Sequence, residues 1–315
     1  MKKLHFRNGD PIDTIGLGTW KSDPEDVKNA VIRALEVGYR HIDAAAIYGN
    51  EAAIGEALKQ VFSAGEIKRE DVFITSKLWN NAHKASDVLP ALQKTLSDLQ
   101  LDYIDLYLMH WPVAFRPDVV FATKPDEYLS LDEIPLIETW TAMEGLKSHG
   151  LAKHIGVSNF SVTKLKALIS KVKSVPEMNQ VELHPLLAQD QLLSYCSDND
   201  ILVTGYSPLG STDRAPAMKA ENEPNLFELE HIKAAAYKYG KTGAQILLAY
   251  HLFRECCVIP KSTHAGRIQQ NFEAGNISLE HSDMMEIAQH DRGFRFVNGT
   301  FFDCPEKGYN NVYDE

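Results

Sequence analysis

SDPEDVKNAVIRALEVGYRHIDAA, residues 22–45, reads as one helix running into one short strand. Asp23 is placed to cap the helix, Pro24 suits its first position, and Glu25 and Asp26 favour the positive end of its dipole. Val27, Ala30, Val31, Ala34 and Leu35 recur at helical spacing as a single apolar stripe, which Gly38 ends. The YRHIDAA that follows is too short for a second helix and closes on a carboxylate, Asp43. A helix feeding a short, buried strand is the repeating unit of a parallel sheet, whose neighbours need a crossover of a dozen or more residues.

The unit recurs. Short apolar runs lie at 14–20 (TIGLGTW), 39–45 (YRHIDAA), 71–79 (DVFITSKLW), 103–112 (YIDLYLMHWP), 152–159 (AKHIGVSN), 177–185 (EMNQVELHP), 201–210 (ILVTGYSPLG) and 256–262 (CCVIPKS). Their brevity, near-continuous apolarity and β-branched content suit strands buried on both faces. Helical patterns fall between or after them, near 51–62, 86–99, 137–148, 161–171, 189–198, 242–253 and 265–272, with an extra helix near 228–239. Eight β/α units with no break in composition predict one α/β domain over residues 1–315, closed as a (β/α)8 TIM barrel; about 250 residues is usual for that fold. The surplus is an N-terminal β-hairpin turning at Asn8-Gly9, a long loop after the fourth strand (113–135), and a C-terminal substrate loop within a tail from about 282 to 315. A doubly wound sheet is the competing reading, but it usually carries G-x-G-x-x-G after its first strand, and GLGTWK does not match.

Composition narrows the function. The 315 residues carry a net charge of -11 with no dense basic patch, which argues against nucleic acid or anionic membrane as the main partner. No run approaches the roughly 18 apolar residues a membrane helix requires, and the N-terminus does not read as a secretory signal. The four cysteines, Cys196, Cys256, Cys257 and Cys304, lack C-x-x-C spacing, so no metal site is expected and reduced, buried thiols are. A cytoplasmic monomer acting on small molecules is the expectation.

Polar residues gather where the strands end. Asp43 ends the second run, Lys77 the third and His110 the fourth; Ser158 and Asn159 end the fifth. Gln180 lies late in the sixth, Tyr206 and Ser207 end the seventh, and Lys261 ends the eighth. In a barrel these ends share the face on which active sites are built. Alone, Lys77 reads as a snorkelling surface lysine, His110 as a hydrogen-bonded core histidine, and Asp43 as a loop cap. Their coincidence across the strands reads as a site. Asp43, Lys77, His110 and the nearby Tyr48 suit protonation of an oxygen on which negative charge develops. A free phenol, with a pKa near ~10, donates poorly at neutral pH; the Lys77 ammonium is expected to lower that value, with Asp43 holding the lysine charged and His110 orienting the oxygen.

GLGTWK (16–21), HIDAAAIYGNE (41–51), ITSKLWN (74–80), LMHWP (108–112), IGVSNF (155–160), NQVELHP (179–185), YSPLGS (206–211) and IPKS (259–262) stand in the order and spacing of the aldo-keto reductases. Over nearly its whole length the chain resembles that family, in particular its aldose and aldehyde reductase branch. The resemblance implies a barrel that binds a nicotinamide cofactor without a Rossmann motif, and a catalytic tetrad of Asp43, Tyr48, Lys77 and His110. It implies that Ser158, Asn159 and Gln180 hold the carboxamide and that Tyr206 stacks on the nicotinamide. Thr19 and Trp20 are implied to lie beside the cofactor with Asp43. Ser207, Leu209 and Ser211 would line the pyrophosphate, over which Lys21 and Asp213 would close as a clasp. Lys261, Ser262, Thr263 and Arg267 offer cations and hydroxyls suited to a 2′-phosphate, and Gln270 and Asn271 lie at the adenine end. NADPH is therefore the expected cofactor. Gln270 stands where many relatives have glutamate, so NADH use is expected as well.

Trp20, Ile47, Trp79, Trp111 and Phe121 are placed around the mouth, and the stretch from Phe294 to Phe302, with Cys304, is expected to close it. Such walls suit aromatic and aliphatic aldehydes. Ile47 stands where the pentose reductases carry an acidic residue, which weakens a sugar-specific reading, although Asn298 and Asp303 offer polar groups from the tail. The expected function is NADPH-dependent reduction of an aldehyde, with aldoses and some ketones in range. A cofactor-binding redox-sensor subunit with slow turnover is the alternative.

Overall fold

The computed structural model describes residues 2–314. An antiparallel hairpin, β1 (Lys3–His5) and β2 (Pro11–Asp13), turns at residues 6–10, where Gly9 takes a φ of 90° and Asn8 Oδ1 accepts from the Asp10 amide. The first barrel strand, β3 (Leu17–Gly18), leads to α1 (Pro24–Val37), β4 (His41–Asp43), α2 (Glu51–Ala64), β5 (Phe73–Leu78), α3 (Ala85–Leu99) and β6 (Ile104–Met109). The loop after β6 carries a small antiparallel pair, β7 (Ala114–Phe115) and β8 (Tyr128–Leu129). Then come α4 (Leu136–Ser148), β9 (Ala152–Ser158), α5 (Val162–Ile169), β10 (Met178–Glu182), α6 (Asp190–Asp198) and β11 (Leu202–Tyr206). The chain ends with α7 (Glu230–Tyr239), α8 (Gly243–Phe253), β12 (Cys257–Val258), α9 (Ala265–Glu273) and α10 (His281–Ala288).

Eight strands pair in parallel in the order β12-β11-β10-β9-β6-β5-β4-β3. The two ends of that row meet. The amides of Gly16 and Gly18 donate to Val258 and Pro260 at 2.8 and 3.1 Å, and that of Val258 donates to Thr14 at 2.8 Å. The sheet therefore closes into the expected barrel. The seam needs glycine: a Cβ on Gly18 would meet the Ile259 carbonyl oxygen at 2.5 Å.

Alternation explains the apolar runs. Along β6, Leu106 and Leu108 face a small cluster in the barrel's interior with Met178 and Cys257, capped from below by Phe6 and Ile12 of the hairpin region; Tyr107 and Met109 face the helices. Lys77 pairs in register with Leu108 and, like it, points inward, while Ser76 points out to Glu51 on α2.

Two local expectations need correction. Asp23 sits at the N-cap of α1 with extended backbone, but its side chain makes no capping bond; the helix start rests on Pro24 and the acidic first turn. Residues 281–288, at the start of the stretch read as a tail from about 282 with no helix assigned, form α10, whose Met284 and Ile287 complete a second core with Ile232, Ala235 and Leu247 of α7 and α8. Gly38 does end α1, at φ 119°, its amide reaching the carbonyls of Ala34 and Leu35.

Candidate active site

The carboxyl ends of the strands bring Asp43, Lys77, Tyr48 and His110 together. Lys77, fully buried on β5, donates from Nζ to Asp43 Oδ1 at 2.5 Å, to the Ala44 carbonyl at 2.8 Å and to the Tyr48 hydroxyl at 3.3 Å. Asp43 spends its other oxygen on Gln180, whose Nε2 donates at 2.7 Å. Tyr48, half-buried in the one-turn helix after β4, meets His110 edge-on with ring centroids 5.8 Å apart. Asp43, Tyr48 and His110 line a cavity of about 1270 Å³, whereas Lys77 lies behind them and touches it through Asp43 and Tyr48.

The protonation states follow from burial and charge. Burial pushes the Tyr48 phenol above its ordinary pKa, and the neighbouring Lys77 only partly opposes this. The expectation that Lys77 sets a net lowered value is thus corrected: the phenol stays protonated, with the Lys77 ammonium 3.3 Å from its oxygen. Burial also disfavours the Lys77 ammonium, but Asp43 and Tyr48 outweigh that and its pKa is raised. Burial, reinforced by Lys77, holds His110 well below the usual imidazole range, so His110 is neutral. Its Nδ1 is buried without a protein partner.

From this floor the cavity extends along the β11, β12 and α9 side of the mouth. All the residues expected to hold the cofactor line it: Thr19, Trp20, Lys21, Ser158, Asn159, Gln180, Tyr206, Ser207, Leu209, Ser211, Asp213, Lys261, Ser262, Thr263, Arg267, Gln270 and Asn271. Near the tetrad they are tied to one another. Ser158 Oγ donates to the Gln180 carbonyl at 2.8 Å, Asn159 Nδ2 to the His110 carbonyl at 3.0 Å, and the Tyr206 hydroxyl to Asn159 Oδ1 at 2.8 Å. Further along, Lys21 bonds Ser211 Oγ at 2.7 Å and pairs with Asp213, which also takes Lys261 at 3.1 Å. Lys21, Asn159, Ser207 and Ser211 all adopt positive φ, of 64°, 63°, 50° and 48°, a conformation that non-glycine residues hold only where surroundings impose it.

Trp20, Ile47, Trp79, Trp111 and Phe121 line the same cavity, joined by Val297, Phe301 and Phe302 of the C-terminal loop. Trp79 is 8% exposed and is pinned by its indole N–H to the Val120 carbonyl at 2.7 Å, so it serves both core and wall. The tail is divided differently from expectation. Phe294 packs against the α7–α8 core, Cys304 and Asp303 border a separate cleft of about 210 Å³, and Asn298 turns its oxygen to Thr300. All four cysteines are free and buried. Among the described residues, no group of three or more His, Cys, Asp or Glu is arranged to hold a metal ion, and no helix is long and apolar enough to cross a membrane.

Two residues at the site carried no signal in the sequence beyond their type. Glu182, fully buried at the end of β10, accepts from the amides of Phe296 and Val297 at 2.7 and 2.9 Å and bonds His184 Nε2 at 2.9 Å. Arg214, 2% exposed, grips the Phe296 carbonyl from the other side.

A closed barrel with a neutral tyrosine at its floor, a buried lysine–aspartate pair behind that tyrosine, and a long cleft lined at its far end by Lys261 and Arg267 has the layout of a barrel enzyme. The known proteins narrow the class. A model of the Aldo/keto reductase family matches residues 14–292. An aldo/keto reductase of Synechocystis sp. is 49% identical over the whole of this chain and 97% of its own length. The aldo-keto reductase family 1 member A1 proteins of Xenopus tropicalis and Homo sapiens are 50% and 46% identical, over 92% and 93% of this chain and 88% and 90% of theirs. The solved aldose reductase of Schistosoma japonicum superposes with a TM-score of 0.89 at 37% identity, covering 100% of this chain and 99% of that one. The chain belongs to the aldo/keto reductase family and is an oxidoreductase.

Proposed function

We propose that this protein reduces aldehydes to alcohols with NADPH, Tyr48 donating the proton. The observation that carries the reading is the Tyr48 hydroxyl at the floor of the cavity, 3.3 Å from a fully buried ammonium and beside a neutral imidazole. Relatives at 46–50% identity bear aldo-keto reductase names, which supports carbonyl reduction.

The residues present fit a nicotinamide dinucleotide. The cavity exceeds the ~1,000 Å³ upper range of ordinary small-ligand sites and has room for a second small molecule. Its donors change along its length from amides and hydroxyls (Asn159, Gln180, Ser158) to cations and hydroxyls (Lys21, Lys261, Arg267, Ser262, Thr263), with the N-terminus of α9 at the far end. That order matches a carboxamide at one end and phosphates at the other. The cations favour a 2′-phosphate, hence NADPH, while the uncharged Gln270 leaves NADH acceptable. When bound, the cofactor supplies the hydride.

The chain's own groups do the rest. Neutral His110 offers one N–H to the carbonyl oxygen and holds it near the Tyr48 hydroxyl. Tyr48 releases its proton as charge builds on that oxygen, and Lys77 stabilises the phenolate left behind. Asp43 keeps Lys77 charged and is itself fixed by Gln180. The phenolate recovers its proton from solvent. Trp20, Ile47, Trp79, Trp111, Phe121 and Phe302 exclude water and offer an apolar wall to aromatic or aliphatic aldehydes; aldoses and some ketones are within reach. The chain is read as one domain, a cytoplasmic monomer.

The test is steady-state oxidation of NADPH and NADH over glyceraldehyde, a nitrobenzaldehyde, xylose and glucose. Turnover with kcat/KM greatest for an apolar aldehyde and NADPH is the expected result. Tight NADPH binding without turnover on any of them would overturn the reductase reading in favour of a cofactor-sensing subunit.

A further inference from the structure

The backbone at Phe296 and Val297 is held at all four of its polar groups. Glu182 takes both amides, Arg214 donates from Nη1 to the Phe296 carbonyl, and the Tyr313 hydroxyl donates to the Val297 carbonyl at 2.8 Å. Of these anchors, only Arg214 comes from the segment that covers the cofactor side of the cavity. Its remaining bonds stay within that segment: Nε to the Ser211 carbonyl at 3.1 Å, Nη1 to the Met218 carbonyl at 2.8 Å, and Nη2 to both Glu223 oxygens at 2.7 Å. The guanidinium also lies 5.2 Å from the Phe296 ring centre.

Arg214 follows Asp213 directly, and Asp213 and Ser211 are the partners of Lys21 across the cleft. Consecutive Cα atoms are about 3.8 Å apart, so Asp213 cannot swing away from Lys21 and Lys261 by more than a few ångströms without moving Arg214. Arg214 in turn cannot move without breaking its bond to Phe296 or pulling the loop along. Val297, Phe301 and Phe302, on the same loop, wall the substrate end. One buried guanidinium thus joins the two sides of the cavity through planar, multidentate bonds that a lysine cannot reproduce.

We propose that Arg214 is a positioning residue that couples the clasp over the cofactor to the substrate wall, so that closure of Lys21, Asp213 and Lys261 on a dinucleotide firms the loop at residues 296–303. The proposal rests on the cofactor reading above. It requires reciprocity: aldehyde binding must also tighten cofactor binding, by the same factor.

Hydrogen–deuterium exchange with and without NADPH tests it directly in the wild type, Arg214→Lys and Glu223→Gln, alongside NADPH Kd from protein fluorescence and the aldehyde KM and kcat. In the wild type NADPH should slow exchange over both 207–213 and 298–303, the latter by about five- to tenfold. In Arg214→Lys the protection of 207–213 should persist and that of 298–303 should vanish. Its aldehyde KM should rise about tenfold while kcat stays within about threefold, as expected for a lost positioning bond rather than a lost reacting group. Glu223→Gln, a change at a partly exposed side chain, should move the same readouts in the same direction by less, and it carries the test if the buried substitution does not fold. Protection at 298–303 that survives both variants, or protection of 207–213 alone in the wild type, overturns the coupling and leaves the cofactor reading standing. No protection anywhere and no measurable Kd in the wild type overturns both.

Discussion

Replacing Lys77 with methionine removes a charge but little volume, and its effects on stability and on activity should separate. In the wild type the ammonium is fully buried and partners Asp43 at 2.5 Å; without it, Asp43 remains a buried carboxylate with the Gln180 amide as its other side-chain partner. Breaking a buried pair in this way costs about 3–5 kcal/mol. Adding Asp43→Asn removes the stranded charge and should recover most of that loss, because neutralising both members of a buried pair is often nearly neutral. Activity should not recover. The attraction between the ammonium and a phenolate 3.3 Å away is about 5 kcal/mol at an effective dielectric near 20, an upper bound of nearly four orders of magnitude in rate, or roughly 3.7 decades. Urea unfolding gives the first quantity, with an unchanged m-value as the control, and NADPH-dependent aldehyde reduction gives the second. A loss under about 1 kcal/mol in Lys77→Met would mean that the pair is not the desolvated contact described here. Near-wild-type turnover in the double variant would refute the role of Lys77 in holding the charge on Tyr48.

Other expectations follow from single residues. His83 is fully buried with both ring nitrogens unpartnered, and burial lowers its pKa to about 3, so the unfolded chain takes a proton first and stability falls as pH drops from about 6.5 towards 3. Urea titrations at pH 7 and 4.5 should show His83→Leu losing roughly 2–3 kcal/mol less than wild type over that interval; an unchanged gap would contradict a buried neutral imidazole. Lys261→Ala should raise the KM for NADPH by about tenfold or more and that for NADH by less than about twofold, whereas equal effects would remove the 2′-phosphate assignment. Asp213→Asn takes away the charge shared by Lys21 and Lys261, and stopped-flow fluorescence should find NADPH leaving about tenfold faster, an unaltered release rate being evidence against a clasp.

The barrel was legible because its strands are buried on both faces: IDLYLM of β6 puts Leu106 and Leu108 inward and Tyr107 and Met109 outward, so it reads as one apolar run. The polar strand-end residues were legible for the same reason, as Asp43, Lys77 and His110 interrupt those runs. What stayed hidden depends on distance or on degree of burial. The bonds from Glu182 to Phe296 and from Arg214 to Phe296 span 114 and 82 positions, and no local pattern marks either partner. The net direction of the Tyr48 shift turns on how completely its pocket is closed, which neighbouring residue types do not reveal. Helix α10 was missed because HSDMMEIA buries Met284 and Ile287 but exposes Met285, so its apolar residues do not mark a single face. Asp23 was overread because an N-cap residue type does not guarantee that its side chain turns back to the helix.

The most direct measurement is Tyr48→Phe, assayed in parallel for NADPH affinity by fluorescence and for aldehyde turnover. The phenol adjoins the cavity floor while the expected phosphate ligands lie along the cleft, so NADPH Kd should stay within about threefold of wild type. Turnover should fall by about two orders of magnitude or more, the usual loss when a positioned proton donor is removed. Turnover close to wild type with intact NADPH binding would contradict Tyr48 as the proton donor, and with it the reading of Lys77, Asp43 and His110 as its support.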